Sequence, residues 1–324
     1  MPSRTQKKLA SELAALVATP EAASGAAAES LLREVLTAND PRSIAQAAEL
    51  IAKQGLRDLE PVLAETYRAL ASVRAQHDPG CHAKEALVVA LEALEHADAE
   101  LFADAAVHVQ LERSKNLERD TAARLRARGL LGLARVGHAD FMTIAGAGLG
   151  DREPSLRLAA AQAIAHRGHG DGAGLLLLRL HIGDDVPEIT SECLRGLFAL
   201  APEHALRFAG ATLRTASEAQ REHLLHALGS ANDERAIELL ETELSRAPLA
   251  ADRRPVIEAL GLSRRSSARE HLLSLVREGS AADASAALSA LAIHRYDPRL
   301  REQLAAATSH SPELARQFSD LLDE

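Results

Sequence analysis

Fourteen histidines, two cysteines and a surplus of carboxylates are the groups in this 324-residue chain that could do chemistry. Two segments concentrate them. HDPGCH brings His77, Cys81 and His82 together, and RGHGDG brings His166, His169 and Asp171 together. Imidazole, thiolate and carboxylate are metal ligands, but a metal site needs three or four of them converging within bonding distance. Neither segment is matched by a second cluster at ligand spacing. No metal is therefore expected, and these histidines read as surface turn residues. Cys81 and Cys193 are far apart in sequence, which excludes a disulfide framework and a Cys-rich zinc site.

Other catalytic patterns fail on context. GHGDGA at 168–173 fits G-x-G-x-x-A, in which glycine backbone approaches a pyrophosphate, but it follows a helical stretch where that chemistry requires a strand. Its glycines are assigned to a tight turn between helices. Neither a G-x-x-x-x-G-K phosphate loop nor a G-x-S-x-G nucleophile elbow occurs. Asp184 and Asp185 are adjacent, so on a helix they project in different directions. They read as a cap and not as an acid/base pair. No catalytic residue and no cofactor is assigned.

The arginines are the remaining candidates. Residues 119–167 hold eight arginines against four carboxylates, within a chain of net charge −9. Such a local basic zone could bind an anion or an acidic protein surface. Arg124, Arg128 and Arg135 fall on one face of a helix and are the candidate partner-binding residues.

These residues must be positioned by helices. Ala and Leu dominate the apolar content, and both are strong helix formers. No stretch alternates with period two, so no strand is expected. A small residue followed by Leu or Ile recurs at Gly132-Leu133, Ala163-Ile164, Gly196-Leu197, Ala227-Leu228, Ala259-Leu260 and Ala290-Leu291, with spacings of 31, 33, 31, 32 and 31. A period in this range marks stacked supersecondary units. Two looser copies, near Leu50 and Ala93-Leu94, are spaced by about 40 and imply longer helices or loops there. Within a period the pattern is helix, turn, helix. Asp151 is an expected N-cap, Pro154 suits a first turn, Gly168 marks a stop, and a second helix is expected from about Leu175 to Ile182. Turn signals recur as NDP at 39–41, HDP at 77–79, GDD with Pro187, and YDP at 296–298.

The segment DREPSLRLAAAQAIAHRG strongly resembles the consensus of bacterial HEAT-like repeats of the type first associated with phycobilin lyases. SANDERAIELLETEL, from Ser230, resembles the link into the next repeat. The resemblance covers roughly residues 29 to 308 and is best from 120 onward. It implies an all-α superhelical solenoid of about eight repeats. Residues 1–28 then form an N-terminal capping helix and linker, 29–308 the array, and 309–324 a C-terminal capping helix. The N-terminal helix is expected from about Ser3 to Val17. Members of this class include scaffolds, assembly factors, lyase subunits and a few enzymes. Deoxyhypusine hydroxylases hold iron with His-Glu pairs on repeat helices. This chain has only the reversed order, Glu-His at 95–96, 203–204, 222–223 and 270–271, at non-equivalent positions.

Aligning the repeats exposes two columns. Seven positions before the reference Leu or Ile stand Arg126, Arg157, Arg221 and Arg253, with Thr190 and Ala284 departing. Thirteen positions before it stand Asp120, Asp151 and Asp184, with Glu278 in the last repeat. Equivalent residues of stacked repeats line up, so these residues are expected to form a structural ladder in which Asp caps its own helix and pairs with a neighbouring Arg.

Aromatics make up only 2% of the chain and Trp is absent, which argues against base-stacking platforms, aromatic cages and large planar ligands. With an acidic balance added, no nucleic-acid partner is expected. No apolar run approaches the roughly 18 residues of a membrane span, so no membrane association is expected and the chain reads as cytoplasmic. The function expected is that of a non-catalytic scaffold or adaptor, with an elongated, partly acidic protein partner lying along a concave face lined by each repeat's second helix. The alternatives are a chromophore-lyase-like enzyme or enzyme subunit, and a weak polyanion binder.

Overall fold

The computed structural model describes residues 4–19, 25–38, 40–114, 117–168 and 170–323. Asn39 of the first turn signal, His169, and the expected helix start at Ser3 lie outside them. The helices of the first part are α1 (Arg4–Ala18), α2 (Ala26–Thr37), α3 (Pro41–Gln54), α4 (Glu60–Ala71), α5 (His82–Ala93), α6 (Ala99–Val107), α7 (Ala123–Val136), α8 (Phe141–Leu149) and α9 (Pro154–Arg167). Those of the second part are α10 (Gly172–Ile182), α11 (Pro187–Leu200), α12 (Pro202–Thr212), α13 (Glu218–Ser230), α14 (Glu234–Arg246), α15 (Ala250–Leu262), α16 (Ser266–Glu278), α17 (Ala281–Leu291), α18 (Pro298–Thr308) and α19 (Pro312–Asp323). The chain is an all-α solenoid of stacked helix pairs. It divides into two compact units, Met1–Arg167 and Gly168–Glu324.

Helix boundaries follow local chemistry. Asp40 caps α3 by accepting from the Ser43 amide at 3.2 Å, Pro41 occupies the first turn, and Gly55 ends the helix in the left-handed region. Ser217 and Gln220 form a reciprocal capping box on α13, which satisfies amides that have no partner inside the helix. Asp297 of the YDP signal caps α18 through the Arg299 amide at 3.0 Å.

In unit 1, helices α3, α5, α7 and α9 pack side by side as a layer of first helices. Second helices lie beside one another as α2 with α4 and α6 with α8. In unit 2 the first-helix layer is α11, α13, α15, α17 and α19, and the second-helix layer is α12, α14, α16 and α18. Small residues, among them the recurring Gly132, Ala259 and Ala290, sit where helices cross within and between the layers. Gly132 of α7 abuts the Phe102 ring of α6, and Gly129 abuts the backbone of Ala105 and Ala106. In unit 2, Gly229 of α13 meets the Ala259 carbonyl of α15, and a Cβ on Gly261 would lie 2.8 Å from Ala290 Cβ. Helices approach this closely only where side chains at the crossing are minimal.

One element departs from expectation. Leu111–Ser114 (β1) and Leu117–Asp120 (β2) form an antiparallel hairpin between α6 and α7, with Leu111 opposite Asp120 and Ser114 opposite Leu117. Four-residue strands are too short to carry a period-two signal over a helical background, and only Val107, Val109 and Leu111 hint at one. This insertion accounts for the long spacing before Leu133. No described helix is long and apolar enough to cross a membrane.

Candidate functional site

The arginine column sits on first helices, and each member reaches back to main-chain carbonyls at or beyond the end of the preceding second helix. Arg126 donates to the His108 carbonyl at 3.2 Å. Arg157 donates to the carbonyls of Asp151 and Arg152 at 3.1 and 3.0 Å. Arg221 donates to Leu213 at 3.3 Å, and Arg253 to Leu244 at 3.0 Å. The His108, Leu213 and Leu244 carbonyls stand at the ends of α6, α12 and α14, where carbonyls lack intrahelical donors and carry the negative end of the helix dipole, so a guanidinium is well matched there; those of Asp151 and Arg152 lie in the turn beyond α8. Arg126 and Arg157 are buried, and Arg221 and Arg253 are half-buried.

Carboxylates complete the arrangements around Arg126, Arg221 and Arg253, but not from one column. Arg126 pairs with Asp120 and lies 3.4 Å from Asp151, its neighbour before α9. Arg221 meets Glu243 of α14 at 3.1 Å, and Arg253 holds both oxygens of Asp283 at 2.9 and 3.1 Å. Glu243 and Asp283 were not singled out by repeat alignment because they occupy different register positions. Glu278 is exposed at the end of α16. Asp184 takes Arg179 of α10 as partner, with Nε 3.0 Å from Oδ2.

The aspartates share a different role from the expected N-cap. Asp120 Oδ1 accepts from the Ala122 amide at 3.0 Å, Asp151 Oδ1 from Glu153 at 2.8 Å, and Asp184 Oδ1 from Val186 at 2.9 Å. Each braces the turn two residues onward, ahead of the helix start, as an Asx turn does. Burial pushes the Asp120 carboxyl up, but hydrogen bonds from Ala122, Arg126 and Gln110 outweigh it and hold the group below the ordinary value.

Arg124, Arg128 and Arg135 are exposed on α7. Arg124 Nε lies 2.9 Å from Glu85 Oε1 of α5. Arg135 donates to the His96 carbonyl and stacks over the Phe102 ring at 5.8 Å. Among the described residues none accepts a hydrogen bond from Arg128, whose charge acts on Glu92 of α5. Burial raises the Glu92 carboxyl above its ordinary value, and Arg128 and Arg135 only partly offset that. The three arginines stand in the first-helix layer. The second-helix face assigned to the partner from sequence is elsewhere.

A polar cluster at the foot of the hairpin was missed. Glu112 Oε1 accepts from the Gly80 amide (2.7 Å), Gln110 Nε2 (2.7 Å) and Thr121 Oγ1 (2.9 Å). Gln110 also donates to the Asp78 carbonyl at 2.8 Å, while the Asp78 carboxylate caps α5 through the Ala83 and Lys84 amides at 3.0 Å each. Lys84 is fully buried, with Nζ 3.6 Å from Asp78 Oδ2. The Cys81 thiol beside it is pushed up to about 12, chiefly by burial. A protonated thiol is a poor nucleophile, so the cluster docks the hairpin and offers no reactive sulfur. No group of three His, Cys, Asp or Glu among the described residues is arranged to hold a metal ion. His77 and His82 are exposed while Cys81 points inward.

No family model matches the chain, and no curated protein matches it. Solved structures give distant likenesses. An engineered protein is similar with a TM-score of 0.42 at 14% identity, over 98% of this chain and 94% of that one. The complex of CpcE and CpcF of phycocyanin lyase from Nostoc sp. PCC7120 is similar with a TM-score of 0.36 at 17% identity, over 91% and 93%. Human deoxyhypusine hydroxylase in complex with glycerol is similar with a TM-score of 0.30 at 13% identity, over 90% and 98%.

Proposed function

We propose that this chain is a non-catalytic scaffold or adaptor built from HEAT-like repeats, and that it binds an elongated, partly acidic protein segment. The observation that carries this reading is the row Arg124, Arg128 and Arg135, exposed on one face of a helix whose opposite side is packed into unit 1. A rigid helix presents these charges at fixed intervals, and Arg128 has no hydrogen bond to surrender on binding. The docking face is therefore the first-helix face of unit 1, in place of the second-helix face. Stacked repeats offer long, regularly spaced surfaces, which suit an extended partner better than a small molecule requiring enclosure.

The test is a pull-down followed by photo-crosslinking. A crosslinking residue in place of Leu131, between Arg128 and Arg135, is expected to capture the same protein that the pull-down recovers. A crosslinker replacing Ser289, on α17 of unit 2, serves as the control. Capture at Ser289 alone would contradict the reading.

A further inference from the structure

The hairpin presents an unpaired strand edge. The Thr121 amide donates to the Gln110 carbonyl at 2.9 Å, so Gln110 and, by alternation, Glu112 turn their main-chain groups toward β2. Leu111 and Arg113, and Val109 before them, therefore turn theirs outward. Among the described residues nothing pairs with those groups. Their side chains are also open: Val107, Val109 and Leu111 are 56%, 60% and 54% exposed. Proteins ordinarily protect such an edge with charge, proline or a covering element. This edge instead shows two alternate aliphatic residues, Val109 and Leu111, beside Val107 at the end of α6, with one arginine at its far end.

The edge is also held rigid. Glu112, Gln110 and Asp120 fix the opposite face to the turn before α5 and to the start of α7. An edge that does not move pays little ordering entropy when a strand is added to it.

We propose that β1 captures an extended segment of a partner protein by strand addition. The segment alternates apolar residues opposite Val109 and Leu111 and carries an acidic residue opposite Arg113. Main-chain groups in strand register require an extended occupant, since a helix has no free amides or carbonyls to offer along its length. The acidic end follows from charge. Arg113 is bound only loosely to Glu118, at 3.6 Å with both side chains largely exposed, and Arg119 on β2 is exposed as well. A second copy of the hairpin paired about Leu111 would set Arg113 against Val109 and leave the charge unmatched. The site adds a partner contact that does not use the α7 arginines, and it rests on the scaffold reading only in supposing a protein partner.

The probe is a synthetic peptide of about eight residues, alternating valine with threonine and starting with two glutamates, so that antiparallel addition brings them to Arg113. Fluorescence anisotropy with the full chain is expected to show saturable binding. N-methylation of alternate peptide amides on one edge should weaken it at least about tenfold, and N-methylation on the other edge should not. V109K/L111K should also weaken binding by about tenfold while the melting temperature holds. Charge reversal at Arg124, Arg128 and Arg135 should leave peptide binding unchanged, so failure of the α7 surface and failure of the edge are told apart. Absence of binding, or equal tolerance of N-methylation on both edges, overturns the proposal. So does sedimentation showing a dimer that V109K/L111K dissociates, since the edge would then be filled by a second copy.

Discussion

Glu112 Oε1 lies 2.7 Å from the Gly80 amide nitrogen, and this bond ties an inserted hairpin to the turn that starts α5. Burial raises the Glu112 carboxyl, but donation from Gln110, Gly80 and Thr121 outweighs it, so the group ionises below the ordinary value of 4.5. A carboxyl depressed in the folded state contributes stability above its unfolded pKa, and that contribution is lost as pH falls through the folded pKa. The hairpin is therefore expected to loosen on acidification below pH 4.5. Protection of the Gly80 and Thr121 amides against hydrogen exchange, taken relative to the intrinsic rate at each pH, should fall over that range, and E112Q should show reduced protection already at neutral pH. Protection independent of both pH and substitution would count against the docking role.

The arginine column predicts unequal losses. Arg157 is buried and bound to two carbonyls, whereas Arg119 is exposed. R157A is expected to cost about 1–3 kcal/mol, because it takes the donor from two part-buried carbonyls and removes the packing of a buried side chain, whereas R119A should stay within about 0.5 kcal/mol. Thermal melts of the two variants check this, and equal midpoints would remove the structural role assigned to Arg157.

Close helix approach sets a second stability test. A Cβ at Gly229 would collide with the Ala259 carbonyl across the α13–α15 contact. G229A is expected to destabilise by about 1–3 kcal/mol, since the obstacle is backbone and cannot rotate away. G210A is the control, because a Cβ there meets only the Leu239 side chain at 3.8 Å.

Both cysteines are buried, and burial pushes each thiol up to about 12. At pH 8 neither should react with a thiol reagent in the folded chain, and both should react on denaturation. Rapid labelling of one thiol without unfolding would show that its surroundings open in solution.

The repeat was legible in the sequence because one physical constraint recurs in every unit. A small residue at the helix crossing precedes a buried Leu or Ile, and the 31–33 spacing follows. The arginine column was legible because four arginines share one register in the sequence, and each meets main-chain carbonyls ahead of its own helix. Its carboxylate partners were not. Glu243 and Asp283 reach Arg221 and Arg253 from different positions in their own repeats, so no alignment column contains both. The hairpin was hidden because LERS and LERD read equally well as charged helix surface. Lys84 was hidden because a lysine two residues into a helix looks solvent-exposed until the Asp78 turn closes over it.

The central claim is that the exposed arginines of α7 dock an acidic partner. The most direct measurement is the affinity of the isolated partner for R124E/R128E/R135E against the unaltered chain at low salt. Arg124 and Arg135 also contact Glu85 and the His96 carbonyl, so circular dichroism and a thermal melt establish that the variant folds before its affinity is read. Affinity is expected to fall at least about tenfold, and the unaltered chain should itself bind more weakly as salt screens the contact over about 8 Å. A variant that folds normally and binds with unchanged affinity would contradict the account.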